Sequence, residues 1–271
     1  MTRTLPSAGK TFRHPRLATP WSWAVLGTLL GLVLAVVFFA PARWLAYAVQ
    51  EATSGQLQLI ETRGTVWTGS ARLLLSGGSG SRDSAVLPGL VDWQLRPGWM
   101  SLRLQVNAAC CTAIPLQARL GLGWGRVAVL VSDGASQWPA TVLAGLGTPW
   151  NTVQAEGNLQ LATQGLSVEW LQGRLLVSGR AELQALGLST RLSTLKPMGS
   201  YRLTLTGGST ASLVLSTLEG SLQLAGSGRW VGSRLRFEGE ASAAPEHEAA
   251  LANLLNIIGR RSGARSIITL G

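Results

Sequence analysis

Residues Trp21 to Ala40, WSWAVLGTLLGLVLAVVFFA, carry no charge, and only Ser22 and Thr28 among them are polar. At roughly 1.5 Å of rise per residue this run makes about 30 Å of helix, enough to cross the hydrocarbon core of a bilayer. Its flanks agree. Arg3, Lys10, Arg13 and Arg16 precede it with no acid among them. Basic residues collect in cytoplasmic segments, so residues 1–20 are expected inside and everything after Ala40 outside. Trp21 and Trp23 stand at one end of the run, and Trp44 and Tyr47 just past the other. Amphipathic aromatics favour both membrane interfaces. The competing reading is a cleaved signal peptide, with Ala40-Pro41-Ala42 as its small-residue site. The apolar run exceeds the roughly 7–15 residues of such a segment, which favours an uncleaved anchor.

The tail and anchor leave residues 41–271, enough for one large β domain or two small ones with a sizeable core. The formal charge is +10, from 23 basic and 13 acidic residues. Four of the basic residues lie in 1–20, so the rest of the chain carries 19 against 13, a balance of +6. These charges alternate with apolar residues, as at Arg234 and Arg236, and do not gather into a stripe. That pattern reads as a solvated strand face and gives no dedicated nucleic-acid surface; contact with acidic lipid headgroups is the competing role. The 33 glycines mark turns, and the abundance of Leu and Val excludes a disordered chain.

After Pro41, residues 42–53 space Trp44, Leu45, Ala48 and Val49 on one helical face, ended by Thr53-Ser54-Gly55. From Gln56 the period changes to two. Strands are expected at 56–61, 71–76, 86–95, 101–106, 115–122 and 126–132. Breaks fall at Gly77–Ser81, Pro88-Gly89, Pro97-Gly98 and Asp133-Gly134. Ser136–Gly145 reads as a short helix capped by Ser136, with Trp138, Val142 and Leu143 inward. Segments 157–183 and 220–241 share the form Gly-x-Leu-Gln-Leu-Ala, a glycine turn, a tryptophan and an alternating strand. Their offset of about 63 residues is a duplication of hairpins and not a short-period repeat. It also divides the outer part into two related halves, roughly 41–150 and 151–271. A helix over Glu246–Ile258 puts Leu251, Leu254, Leu255 and Ile258 on one stripe, with Gly259 as its stop, and Ser266–Leu270 closes as a strand. The expected fold is mainly β: one transmembrane helix, then a curved antiparallel sheet of repeated hairpins with a few short helices.

The sequence offers little chemistry. His14 lies in the tail, and His247 stands alone between Glu246 and Glu248 at a helix start. No metal-ligand spacing, Ser-His-Asp set, Gly-x-Ser-x-Gly elbow or phosphate-binding loop is present. Glu238 and Glu240 share a strand face, but Arg234 and Arg236 continue it as a mixed-charge solvent surface. No enzyme and no cofactor are therefore expected. Cys110-Cys111 are adjacent; an oxidising compartment permits a vicinal disulfide, and an intermolecular bridge or two free thiols remain alternatives. Eight tryptophans from Trp67 to Trp230 mostly adjoin glycines and turns. Most suit a core, and some suit a partner. In Gly64-Thr65-Val66-Trp67-Thr68-Gly69 the glycines allow unusual backbone, while Val66 and Trp67 fall on opposite faces if the segment is a strand. Trp67 can then plug the end of a sheet core or serve as a contact knob.

The order of one anchor, Pro41-Ala42-Arg43-Trp44-Leu45 and then Gly64-Thr65-Val66-Trp67-Thr68-Gly69 resembles the protein N family of the bacterial type II secretion system. The closing Leu254-Leu255-Asn256-Ile257-Ile258-Gly259 helix and short strand are also similar to that family's end. The resemblance implies a single-pass inner-membrane protein with a periplasmic β-rich domain, accessory to the export of folded periplasmic proteins. The inner-membrane C protein and the outer-membrane secretin are its implied partners. It also implies a structural or partner-contacting role for Gly64, Thr65, Val66, Trp67 and Gly69. A more distant similarity to AsmA-like proteins implies an alternative, a periplasmic lipid-binding or lipid-transfer module with an apolar groove.

Overall fold

A computed structural model describes residues 21–78, 80–148, 150–171, 174–232 and 234–271. Expectations for residues 1–20, His14 included, and for Ser79 lie outside the described residues. The chain divides into two units, Met1–Phe39 and Ala40–Gly271.

In the first unit, helix α1 spans Trp21–Phe38, and all of its residues are exposed. Its 18 residues make about 27 Å. It stops two residues short of Ala40, because a residue preceding proline is driven out of helical conformation and Pro41 follows.

The second unit begins with α2 (Ala42–Ala52). The hydroxyl of Thr53 closes this helix by donating to the Val49 carbonyl (2.8 Å) and accepting from the Leu57 amide (3.1 Å). Strands β1 (Leu57–Gly64), β2 (Thr68–Ser76), β3 (Ser84–Val86), β4 (Val91–Gly98), β5 (Ser101–Ala108), β6 (Leu116–Gly123), β7 (Arg126–Val131) and β8 (Gly134–Pro139) follow. A 3-10 segment (Ala140–Leu146) and the one-turn α3 (Trp150–Val153) lead to β9 (Glu156–Leu171) and β10 (Arg174–Ser189). Then come β11 (Gly199–Thr206), β12 (Ser212–Gly220), β13 (Leu222–Val231) and β14 (Arg234–Ala243). A 3-10 turn at Pro245–His247, α4 (Glu248–Ile258), β15 (Arg260–Ser262) and β16 (Arg265–Leu270) complete it. The described strands form one antiparallel sheet in the order β1-β2-β4-β5-β6-β7-β9-β10-β11-β12-β13-β14-β16-β15, with β3 on β2 and β8 on β9. The fold is mainly β, as the alternation predicts.

Two expectations for local structure are corrected. Residues 86–95 are not one strand. Leu87 is buried and the chain turns at Pro88-Gly89 before β4 begins. Ser136 does not cap a helix. It lies in β8, whose residues pair with β9 from Gly134↔Thr163 to Pro139↔Asn158, and its hydroxyl accepts a hydrogen bond from the Trp138 indole (2.8 Å). Pairing with a long strand overrides local helix signals there, and only residues from Ala140 onward are helical. The inward packing of Trp138, Val142 and Leu143 is nonetheless observed.

The duplicated segments are both hairpins. Trp170 pairs with Leu175 in β9–β10, and Trp230 pairs with Leu235 in β13–β14, so the two copies place tryptophan at the same register before the turn. β9 also pairs with β7 and β8, which makes the sheet continuous across residue 150.

Antiparallel pairing puts the ends of β4, β6, β9, β11 and β13 at one end of the sheet, here the tip end, together with the β1–β2 corner. One face carries the core, in three clusters. Leu251, Leu254 and Leu255 of α4 pack on Leu159, Met198, Tyr201, Leu222 and Ala241. The 3-10 segment lays Val142 against Leu87, Val91, Ala108 and Cys111. Ala42 of α2 packs on Ala71, Trp93 and Leu95. Gly259 stops α4 as expected and is itself extended (φ −171°). Glycine is required by space, since a Cβ there would lie 2.4 Å from the Ile267 carbonyl oxygen.

Candidate interaction surface

The Gly64–Gly69 segment forms the β1–β2 corner, where Gly64 pairs with Gly69. Gly64 has φ +88°, and a Cβ on it would lie 2.5 Å from the Thr68 carbonyl oxygen. A Cβ on Gly69 would lie 2.5 Å from the Trp93 ring. Thr65 closes the turn: its amide donates to the Thr68 carbonyl (2.8 Å), and its hydroxyl accepts from the Thr68 amide (3.2 Å). Val66 and Trp67 do not split between two faces. They sit in the turn itself, outside regular strand, and both pack on the Ala42–Ala71–Trp93–Leu95 cluster.

The corner is tied on three sides. The Val66 amide donates to the Ala40 carbonyl (2.9 Å), and the Leu95 amide donates to the Trp67 carbonyl (2.7 Å). The Trp93 indole donates to the Val66 carbonyl (3.1 Å). This geometry fastens the start of the second unit to β4. Trp67 is half-buried in that packing.

The exposed apolar surface lies elsewhere. Directly paired residues share a sheet face. Leu122↔Val127↔Trp170↔Leu175 make one such row across β6, β7, β9 and β10. Behind it runs Leu102↔Leu120↔Val129↔Val168↔Val177. Both rows lie on the core-bearing face, but the described helices pack elsewhere on it. At the tip end the first row is open, with Leu122 52%, Val127 40% and Trp170 50% exposed. Its residues are legible in the sequence as alternating strands, but its lack of cover depends on where the helices land, which periodicity does not give.

Cys110 and Cys111 are joined in a disulfide at the β5–β6 loop. Cys111 is buried, and its carbonyl accepts from the Gln137 amide (2.8 Å). No group of three or more potential metal ligands occurs among the described residues, His247 included. Arg234, Arg236, Glu238 and Glu240 are exposed on one face of β14, and Glu240 pairs with Arg265 (3.2 Å). Gln184 donates to Glu182 (2.7 Å), and Arg180 and Arg202 pair with it (both 3.0 Å). The amide hydrogen bond first, then the two guanidiniums, hold the Glu182 carboxyl below its ordinary value. Burial pushes the Tyr201 hydroxyl up; it donates to the Leu222 carbonyl (3.1 Å) inside the core.

A long sheet with a tied corner and an open apolar strip suits binding. The family model for the type II secretion system (T2SS), protein N, matches residues 55–268. The chain belongs to this family. Neither a curated protein nor a solved structure matches it significantly. The protein N match covers the whole sheet from β1 through most of β16, so the open strip and the corner both lie inside the family's domain. Membership places the chain in type II secretion, associated with other subunits of that system, and the apolar α1 is compatible with a single-pass membrane anchor.

Proposed function

We propose that this chain is an accessory inner-membrane subunit of the secretion machine. Residues 1–20 are cytoplasmic, α1 crosses the membrane and residues 41–271 are periplasmic. It acts without catalysis, by docking the Leu122–Val127–Trp170 strip on partner subunits, with the C protein and the secretin as the proposed partners. The observation that carries this reading is the open apolar strip on the core-bearing sheet face, since exposed contiguous apolar surface marks interaction sites. A vicinal disulfide is in keeping with an oxidising compartment. The Gly64–Gly69 segment serves this role structurally, by fixing where the chain enters the sheet.

A second reading, an AsmA-like lipid-binding module, has one observation in its favour: the apolar rows continue across five strands, as a groove for acyl chains requires. One experiment separates the two. A photoreactive side chain is placed at position 127, 168 or 170 of the full chain in secreting cells. Adducts with the C protein or the secretin support docking. Recovery of no secretion subunit overturns docking, and phospholipid adducts that reach position 168 of the inner row then favour the lipid module.

A further inference from the structure

The tip end carries a second feature, on the opposite face of the sheet from the apolar strip. Arg96 pairs with Arg103, and Arg103 pairs with Arg119, so three arginines stand side by side across β4, β5 and β6. Directly opposed side chains lie about 5 Å apart, and like charges in such positions repel. Among the described residues none of the three takes part in an ion pair. They line a trough of about 490 Å³ together with Gln94, Gln105 and Gln117. Repulsion left uncompensated within the fold is relieved by an anionic ligand.

The hairpin turns beside this row carry the most exposed aromatics of the second unit. Trp99 is 96% exposed and Trp124 is 100% exposed, with Met100 exposed beside them. The turns are level with one another. Ser101 pairs with Gly121, and the Leu122 amide donates to the Met100 carbonyl (3.0 Å). A flush edge of bare tryptophans, backed a few residues away by unpaired arginines, matches a bilayer interface. There indole rings sit at headgroup depth and guanidiniums meet phosphates.

Covalent continuity supplies the surface. Ala40 is held at the β1–β2 corner, and the Trp67 carbonyl of that corner accepts from the Leu95 amide, one residue before Arg96. Two peptide bonds separate Ala40 from Phe38, the last residue of α1. The Trp99 turn extends four residues beyond Leu95, or about 13 Å. Resting on the reading of α1 as a membrane anchor, we propose that the Trp99 and Trp124 turns insert into the headgroup region of the bilayer that holds α1, with Arg96, Arg103 and Arg119 on its phosphates.

The test uses the full chain in vesicles of phosphatidylethanolamine and phosphatidylglycerol, with a photoreactive side chain at one position at a time. Position 30 in α1 reports the anchor. Positions 99 and 124 report the docked edge, and position 114, in the β5–β6 loop at the opposite end, is the control. Expected are lipid adducts at 30, 99 and 124, severalfold more than at 114. Arg96→Gln, Arg103→Gln and Arg119→Gln together cut the yield at 99 and 124, by about fivefold per arginine at most, and leave position 30 unchanged. Labelling at 30 with yields at 99 and 124 no higher than at 114 overturns the docking and leaves the anchor standing. No lipid adduct at 30 overturns the anchor itself. Undiminished lipid labelling in the triple variant overturns the phosphate contact. In native membranes, adducts from 99 and 124 with protein and not lipid overturn the bilayer as occupant.

Discussion

The two ends of the core-bearing sheet face differ in what lies on them. At one end α4 sets Leu251, Leu254 and Leu255 over Leu159, Leu222 and Ala241, and all six are buried. At the other, Leu122, Val127 and Trp170 are chemically equivalent residues on the same face with no such cover. Alternation alone cannot tell these regions apart, because both satisfy the same period of two. The covered end is therefore the part that stabilises this sheet, and the open end is free to bind without cost to the fold.

Breaking the covered end should therefore dominate stability. Leu255→Ala removes a fully buried side chain and is expected to destabilise by about 2–5 kcal/mol, read as a lowered denaturation midpoint. Tyr201→Phe leaves the Leu222 carbonyl without its hydroxyl donor and should cost about 1 kcal/mol. Val127→Ser, on the open strip, should change stability by no more than about 0.5 kcal/mol. A midpoint shift for Val127→Ser as large as that for Leu255→Ala would erase the distinction.

Glu182 gives the smallest effect. Its folded carboxyl titrates below its unfolded value, so its stabilisation is present above the unfolded pKa and fades as pH falls through the folded one. Thermal melts of Glu182→Gln against the parent should thus differ at neutral pH and converge in acid.

Much of the fold is legible in the residues. The uncharged run at 21–40, the period of two after Gln56, the paired hairpins at 157–183 and 220–241 and the Leu251–Leu254–Leu255 stripe all correspond to observed elements. The failures share one cause. Ser136 looks like a cap, and Val66 and Trp67 look like opposite faces of a strand, because local spacing ignores what a distant strand requires. β9 recruits 134–139 by edge pairing, and Trp93 recruits Val66 through its indole. The candidate site is less legible in the residues. The Gly64–Gly69 motif is conspicuous in sequence and forms the β1–β2 corner. The open strip carries no motif, because its identity depends on where three helical segments do not reach. The row Arg96–Arg103–Arg119 hides in the same way, since only register brings residues from three strands together.

The most direct measurement is export of a type II substrate by cells carrying Leu122→Ser, Val127→Ser and Trp170→Ser together in the full chain, with its abundance and thermal midpoint checked against the parent. The predicted result is lost export from a protein present at normal level and normally stable. Parental export from that same variant would contradict the open strip as the surface through which this chain works.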